Sequence, residues 1–143
     1  MPRLTALILG ATGFVGRHLL EALAATHPDL QLRCLVRNAT AQRLAILAAL
    51  NSNVETIEGT LEDSALITLE AAKADVVVNV ASSDHLASTE AILTGLRKQD
   101  ESAGGQRPIY LHMSGLGIIA DNVRGEKVEV VKEWTDFDLD LEE

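Results

Sequence analysis

The stretch Gly10-Ala11-Thr12-Gly13-Phe14-Val15-Gly16 constrains the chain more than any other. It follows the aliphatic run Leu4-Thr5-Ala6-Leu7-Ile8-Leu9, which is short, stopped by glycine and reads as a buried β-strand. After Gly16, Leu19, Leu20, Leu23 and Ala24 recur at helical spacing. Strand, glycine turn and helix in that order are the setting of a phosphate-binding turn. Gly10 lets the backbone turn sharply, Gly13 lacks the Cβ that would hold a pyrophosphate off the backbone, and Gly16 lets the helix lie close on the sheet. Phosphates then meet N–H groups at a helix N-terminus, where the dipole also favours anions. A Walker loop needs Lys and then Ser or Thr after the last glycine. Arg17 and His18 stand there instead, which rejects that reading.

The rest of the chain alternates strands and helices. Leu30 to Val36 reads as a second strand, Ala41 to Leu50 as a helix, and Val54 to Glu58 as a short strand. Asp63 caps a helix running to about Ala72, and Ala74 to Val80 is the most β-like stretch, suited to a central strand. Leu86 to Gln99 fits a helix that Gly95 weakens, and Pro108 to Met113 a fifth strand. This pattern predicts an α/β fold: a doubly wound, Rossmann-like parallel sheet of about five strands in order 3-2-1-4-5.

Ligands of such sheets gather at the carboxyl ends of the strands, and Arg37 stands at the end of the second. An NAD site places Asp or Glu here for the ribose hydroxyls, yet no acid lies between Gln31 and Leu44. Arg37 suits a 2′-phosphate, with Asn38 or Arg43 helping. The expected cofactor is NADP, with NAD as the alternative. Its phosphate-side contacts are expected from Gly10, Thr12, Gly13, Phe14, Val15 and Gly16.

Leu7-Ile8-Leu9-Gly10-Ala11-Thr12-Gly13-Phe14-Val15-Gly16 resembles the opening of atypical and extended short-chain dehydrogenase/reductases, nearest to the NAD-dependent epimerase/dehydratase and NmrA-like branches. The resemblance covers about residues 4 to 125 and implies further roles. After the third strand the family usually carries Gly-Asp-Leu-x-Asp, whose first Asp binds the adenine amine; this chain has Gly59-Thr60-Leu61-Glu62-Asp63, so Leu61 is left to pack on adenine. Ala81 and Ser82 match small residues that let the backbone pass close to the nicotinamide-side ribose. Ser114 stands where the family has its active-site Ser, which holds the substrate hydroxyl or carbonyl. The family's Tyr-x-x-x-Lys is not matched: the sole tyrosine is Tyr110, within the fifth strand.

Charge separates the chain into a dinucleotide-binding part, residues 1–125, and an acidic tail, 126–143. From Glu126 onward eight acids face two lysines, giving −6 of a net −9. The acidity argues against nucleic acid and anionic membranes as partners. The tail fits an acidic helix from Glu126 to Trp134 with a frayed end, or an edge strand where Asp136, Asp138 and Asp140 alternate with Phe137, Leu139 and Leu141. Cys34 is the only cysteine and reads as a small core residue, and His85 as a solvent-facing loop residue. No metal site is indicated, and the absence of a signal or apolar span gives a cytoplasmic expectation.

Two functions follow from this reading. One is the NADP(H)-binding part of a reductase or sugar-nucleotide epimerase/dehydratase acting on a small molecule, incomplete for catalysis. The other is a non-catalytic, NmrA-like module that senses NADP and contacts a protein partner. The fifth strand, lacking a clear sixth, is expected to support self-association through its edge.

Overall fold

The structure is a computed structural model and describes residues 3–102 and 107–115. Five strands, β1 (Thr5–Leu9), β2 (Gln31–Val36), β3 (Val54–Glu58), β4 (Val76–Asn79) and β5 (Ile109–His112), form one parallel sheet in the order β3-β2-β1-β4-β5. Helices α1 (Phe14–Thr26), α2 (Ala41–Leu50), α3 (Ser64–Ala71) and α4 (Leu86–Ser102) connect them. This is the expected order, and the reversal of strand order between the parallel neighbours β1 and β4 creates the crevice where such sheets bind ligands.

Burial on both faces explains why β1 is continuously aliphatic. Ala6 and Ile8 pack with Leu20, Leu32, Cys34 and Leu47 under α1 and α2. Leu7 and Leu9 face the other way, onto Ile67, Ala71, Ile92 and Leu96 of α3 and α4. Each Leu or Ile among them contributes roughly 1.5–3 kcal/mol of burial. Cys34 is fully buried and burial pushes its thiol up to about 12, so it is an inert core residue.

Several boundaries differ from expectation for local reasons. β4 does not begin at Ala74, because Ala74 N–H closes a turn onto Ala71 and the Asp75 carboxylate accepts from Thr5 N–H at 2.8 Å. α4 runs three residues beyond Gln99. Gly95 does not weaken that helix without recompense. A Cβ there would stand 2.5 Å from Thr68 O and 2.6 Å from Ala71 Cβ, so the glycine lets α3 and α4 touch. Thr68 Oγ1 donates to Ala91 O across the same contact.

Where α3 lies on the sheet is fixed by charge. Glu70 of α3 is buried, and its carboxylate accepts from Arg33 Nε of β2 at 2.7 Å and from Lys73 Nζ at 2.8 Å. Arg33 also reaches Glu55 of β3 at 2.6 Å. Burial pushes the Glu70 carboxyl up, but the hydrogen bonds and charges of Lys73 and Arg33 outweigh it and hold the group below its usual range.

Contacts divide the chain into residues 1–113 and 114–143. The expected tail helix and the boundary at 125 lie outside the described residues. No described helix is long and apolar enough to cross a membrane.

Candidate dinucleotide site

The glycine turn joins β1 to α1 at the carboxyl edge of the sheet. Gly10 has φ of +94°, and a Cβ on it would stand 2.7 Å from Ala81 N. Only glycine fits there, because the turn lies against the loop leaving β4. The helix begins at Phe14, earlier than the apolar spacing implies, so Phe14, Val15 and Gly16 form its first turn. Gly13 is its N-cap and supplies no side-chain cap. The first N–H groups of the helix have no acceptor within it, and an anion would satisfy them.

Gly13 is the glycine with room beside it. A Cβ there would meet only Gly10 O, at 3.2 Å, and otherwise open space. The position is extended, φ −75° and ψ 175°, which any residue adopts. Its lack of a side chain therefore leaves a cradle, not a conformational device. Gly16 is buried, and the close approach it permits is to Gly10 and Ala11 of the turn itself. Arg17 Nε donates to Thr12 O at 3.2 Å and ties the turn to the helix.

The cleft above this turn has a volume of about 540 Å³, within the range of small-ligand sites. Gly10, Thr12, Gly13, Arg37, Leu61 and Ala81, six of the expected residues, line it. Phe14, Val15, Gly16, Asn38 and Ser82 do not line it. Phe14 is exposed and its ring lies 4.8 Å from that of His18. Ser82 Oγ accepts from Asp84 N–H at 3.3 Å, which shapes the loop after β4. Ser114 is exposed and follows β5 in the chain, in the second unit.

Arg37 is exposed at the end of β2. Its guanidinium makes no hydrogen bond or ion pair with the described residues, whereas its carbonyl accepts from Arg43 Nη1 at 2.6 Å. Arg43 thus holds the loop and does not line the cleft. Asn38 sits at φ 50°, a left-handed conformation that Asn tolerates, and this turns the chain toward α2. The acid absent from the sequence near Arg37 is brought close by β3. Glu58 accepts from Ala39 N–H at 3.1 Å, bracing the loop from outside the cleft.

Asp63 was expected to cap α3 but makes no cap bond. Its carboxylate instead accepts from Thr60 N–H at 2.6 Å and Thr60 Oγ1 at 2.9 Å. Those two hydrogen bonds, the backbone one foremost, hold the carboxyl below its usual range.

Six cleft residues escaped the sequence reading, Leu35, Gly59, Thr60, Glu62, Val80 and His85, and two of them carry titratable side chains that meet. His85 is not a free loop histidine: it lines the cleft, accepts from Ser88 N–H through Nδ1 at 3.2 Å, and meets Glu62 Oε1 through Nε2 at 2.8 Å. Glu62 lines it too. No spacing rule pairs residues 62 and 85, because α3 and β4 intervene.

Sheet order, turn and cleft define a Rossmann-like dinucleotide-binding domain. The family model described as NAD(P)H-binding matches residues 10–136, and the chain belongs to that family. The chain is 34% identical over 115 residues to oxidase ucsJ of Acremonium sp, covering 80% of this chain and 32% of that protein. It is 33% identical over 97 residues to phenylcoumaran benzylic ether reductase IRL1 of Ginkgo biloba, covering 64% of this chain and 31% of that one. The chain thus spans about a third of the length of these relatives. A wide-type short-chain dehydrogenase/reductase of Veillonella parvula, solved with NADP, superposes with a TM-score of 0.62 at 18% identity, over 80% of this chain and 49% of that one. The leucoanthocyanidin reductase of Vitis vinifera, solved with NADPH, gives 0.51 at 21% identity, over 66% and 32%.

The residues present fit such a cofactor. Gly13 leaves the cradle a Cβ would fill, the helix start lacks a side-chain cap, and the Arg37 guanidinium has no partner among the described residues.

Proposed function

We propose that the chain binds NADP(H) in preference to NAD(H), as the cofactor-binding part of a reductase. The observation that carries this is Arg37: it lines the cleft, its guanidinium has no partner among the described residues, and Glu58 of β3 is engaged by Ala39 N–H. The pyrophosphate lies over Gly10 to Gly16, and the 2′-phosphate pairs with Arg37. That two solved proteins of this fold carry NADP or NADPH agrees with the assignment. The chemistry then supplied is hydride transfer at the nicotinamide, with Ala81 and Ser82 passing close to its ribose and Ser114 holding the substrate oxygen. Phe14, Val15 and Gly16 contribute backbone N–H groups, and Leu61 packs on the adenine.

Calorimetric titration of both cofactors tests the preference. A charge-assisted pair to the 2′-phosphate is worth about 1.5–3 kcal/mol, roughly ten- to a hundredfold in affinity. Arg37→Ala should remove that advantage and leave NAD(H) binding nearly unchanged. Equal affinities in the unmodified protein would overturn the preference.

A further inference from the structure

We propose that the side chains of Tyr110 and His112 on β5 position the loop 80–83 for the nicotinamide half of the cofactor. The inference rests on the dinucleotide reading above and deepens it. Strand order sets the direction of the ligand across the sheet. Arg37 follows β2 and the glycine turn follows β1, so a cofactor whose 2′-phosphate pairs with Arg37 crosses β1 with its pyrophosphate. Its other half then lies over the next strand, β4, and the loop that leaves it. Val80 and Ala81 of that loop line the cleft, and Gly10 packs close against Ala81.

Side chains from two strands hold this loop, one residue after another. Asn79 ends β4 and is fully buried. Its Oδ1 accepts from Ala81 N–H at 3.1 Å, and its Nδ2 donates to Ser82 O at 3.2 Å. The next carbonyl, that of Ser83, lies 3.3 Å from His112 Nε2. A carbonyl only accepts, so the neutral His112 ring carries its proton on Nε2 and leaves Nδ1 as an acceptor. The Tyr110 hydroxyl meets that nitrogen at 2.8 Å and is therefore the donor.

Register makes the relay possible. His112 stands opposite Asn79 and Tyr110 opposite Val77, and Met113 N–H donates to Asn79 O at 3.0 Å. Tyr110 and His112 are two apart, so they share one face of the strand, and their rings meet edge to face at 5.6 Å. Tyr110 is partly buried against the cluster that holds Ile67 and Ile92. Packing thus fixes its ring, while the exposed His112 would sample other rotamers without its hydrogen bonds. Order passes from the core through Tyr110 to His112, and from there to Ser83 O. Neither side chain lines the cleft, so both are positioning residues that act through the backbone of the loop.

The test compares NADP⁺ with adenosine 2′,5′-bisphosphate, which keeps the base, its ribose and the 2′-phosphate but has no nicotinamide half. Both are titrated calorimetrically into the full chain. Tyr110→Phe removes one hydrogen bond and keeps the ring. It should weaken NADP⁺ about fivefold, the effect of one hydrogen bond, and leave the bisphosphate unchanged. His112→Ala should weaken NADP⁺ at least as much, again without effect on the bisphosphate. His112→Gln, whose amide can still donate to Ser83 O, should recover part of the loss. If Tyr110→Phe and His112→Ala bind NADP⁺ as the unmodified protein does, the positioning role is overturned and the dinucleotide reading stands. Equal weakening of both ligands would also overturn it, because a general loss of order does not distinguish the two ends of the cofactor. An unmodified protein that binds neither ligand would overturn both readings.

Discussion

A Cβ on Gly16 would stand 2.1 Å from the carbonyl oxygen of Gly10, and 2.7 Å from Ala11 Cα. Both obstacles are backbone, so nothing flexible can move aside. Gly16→Ala must therefore shift α1 away from the turn and disturb the contacts of Leu20 with Ile8 and Cys34 beneath it. Overpacking of this kind costs about 1–3 kcal/mol, and more where backbone must move. Chemical denaturation should show a loss at or above the top of that range.

A second prediction concerns Glu70. Removing it leaves Arg33, largely buried, without its interior partner, and breaking such a pair costs about 3–5 kcal/mol. Glu70→Ala should lose that much in urea unfolding. Lys73→Ala should lose under about 1 kcal/mol, because Lys73 is half exposed. The folded carboxyl lies below its ordinary value of 4.5. Its contribution is therefore present above that value and is lost as pH falls through the folded one. Glu70→Ala should accordingly show a shallower loss of stability on acidification than the unmodified protein.

Gly95 gives a third. The Cβ of Gly95→Val would overlap Thr68 O, which is backbone, and Ala71 Cβ. Thermal unfolding should shift down markedly, despite the better intrinsic fit of a side chain in a helix. An unchanged midpoint would show that α3 and α4 separate at little cost.

A fourth follows from β5, which pairs only with β4 among the described strands. Ile109 and Leu111 are 54% and 53% exposed, and Met113 is 41% exposed. An apolar edge of this kind templates pairing with another chain. Sedimentation over a concentration range should show self-association, and Leu111→Lys should reduce it. A monomer at all concentrations would count against the edge.

What the sequence disclosed and what it hid divide along the range of the interactions. Local signals located all nine elements of the described residues: aliphatic runs for β1 and β2, a helical repeat for α2, the polar break at Asn51. The turn was legible because strand, glycines and helix are contiguous. Asp63 misled because a carboxylate before a helix usually caps it, while here the preceding Thr60 offers two donors in better reach. Glu70 with Arg33, Gly95 with Thr68 and Glu62 with His85 were invisible, since each joins residues that only the fold makes neighbours. Glu58 is the sharpest case. No acid stands near Arg37 along the chain, and the sheet brings one from the adjacent strand to Ala39, two residues on.

The central claim, that a dinucleotide phosphate lies on the glycine turn, is tested most directly by Gly13→Val. The residue is extended, and the added Cβ meets only Gly10 O, at 3.2 Å. The fold should survive at a cost of about 1 kcal/mol, as for a poor N-cap. The branched side chain would fill the cradle itself. Calorimetric titration of the variant with NADP⁺, beside its thermal unfolding, should show a folded protein with no measurable binding. A folded variant that binds NADP⁺ as the unmodified protein does would contradict the account.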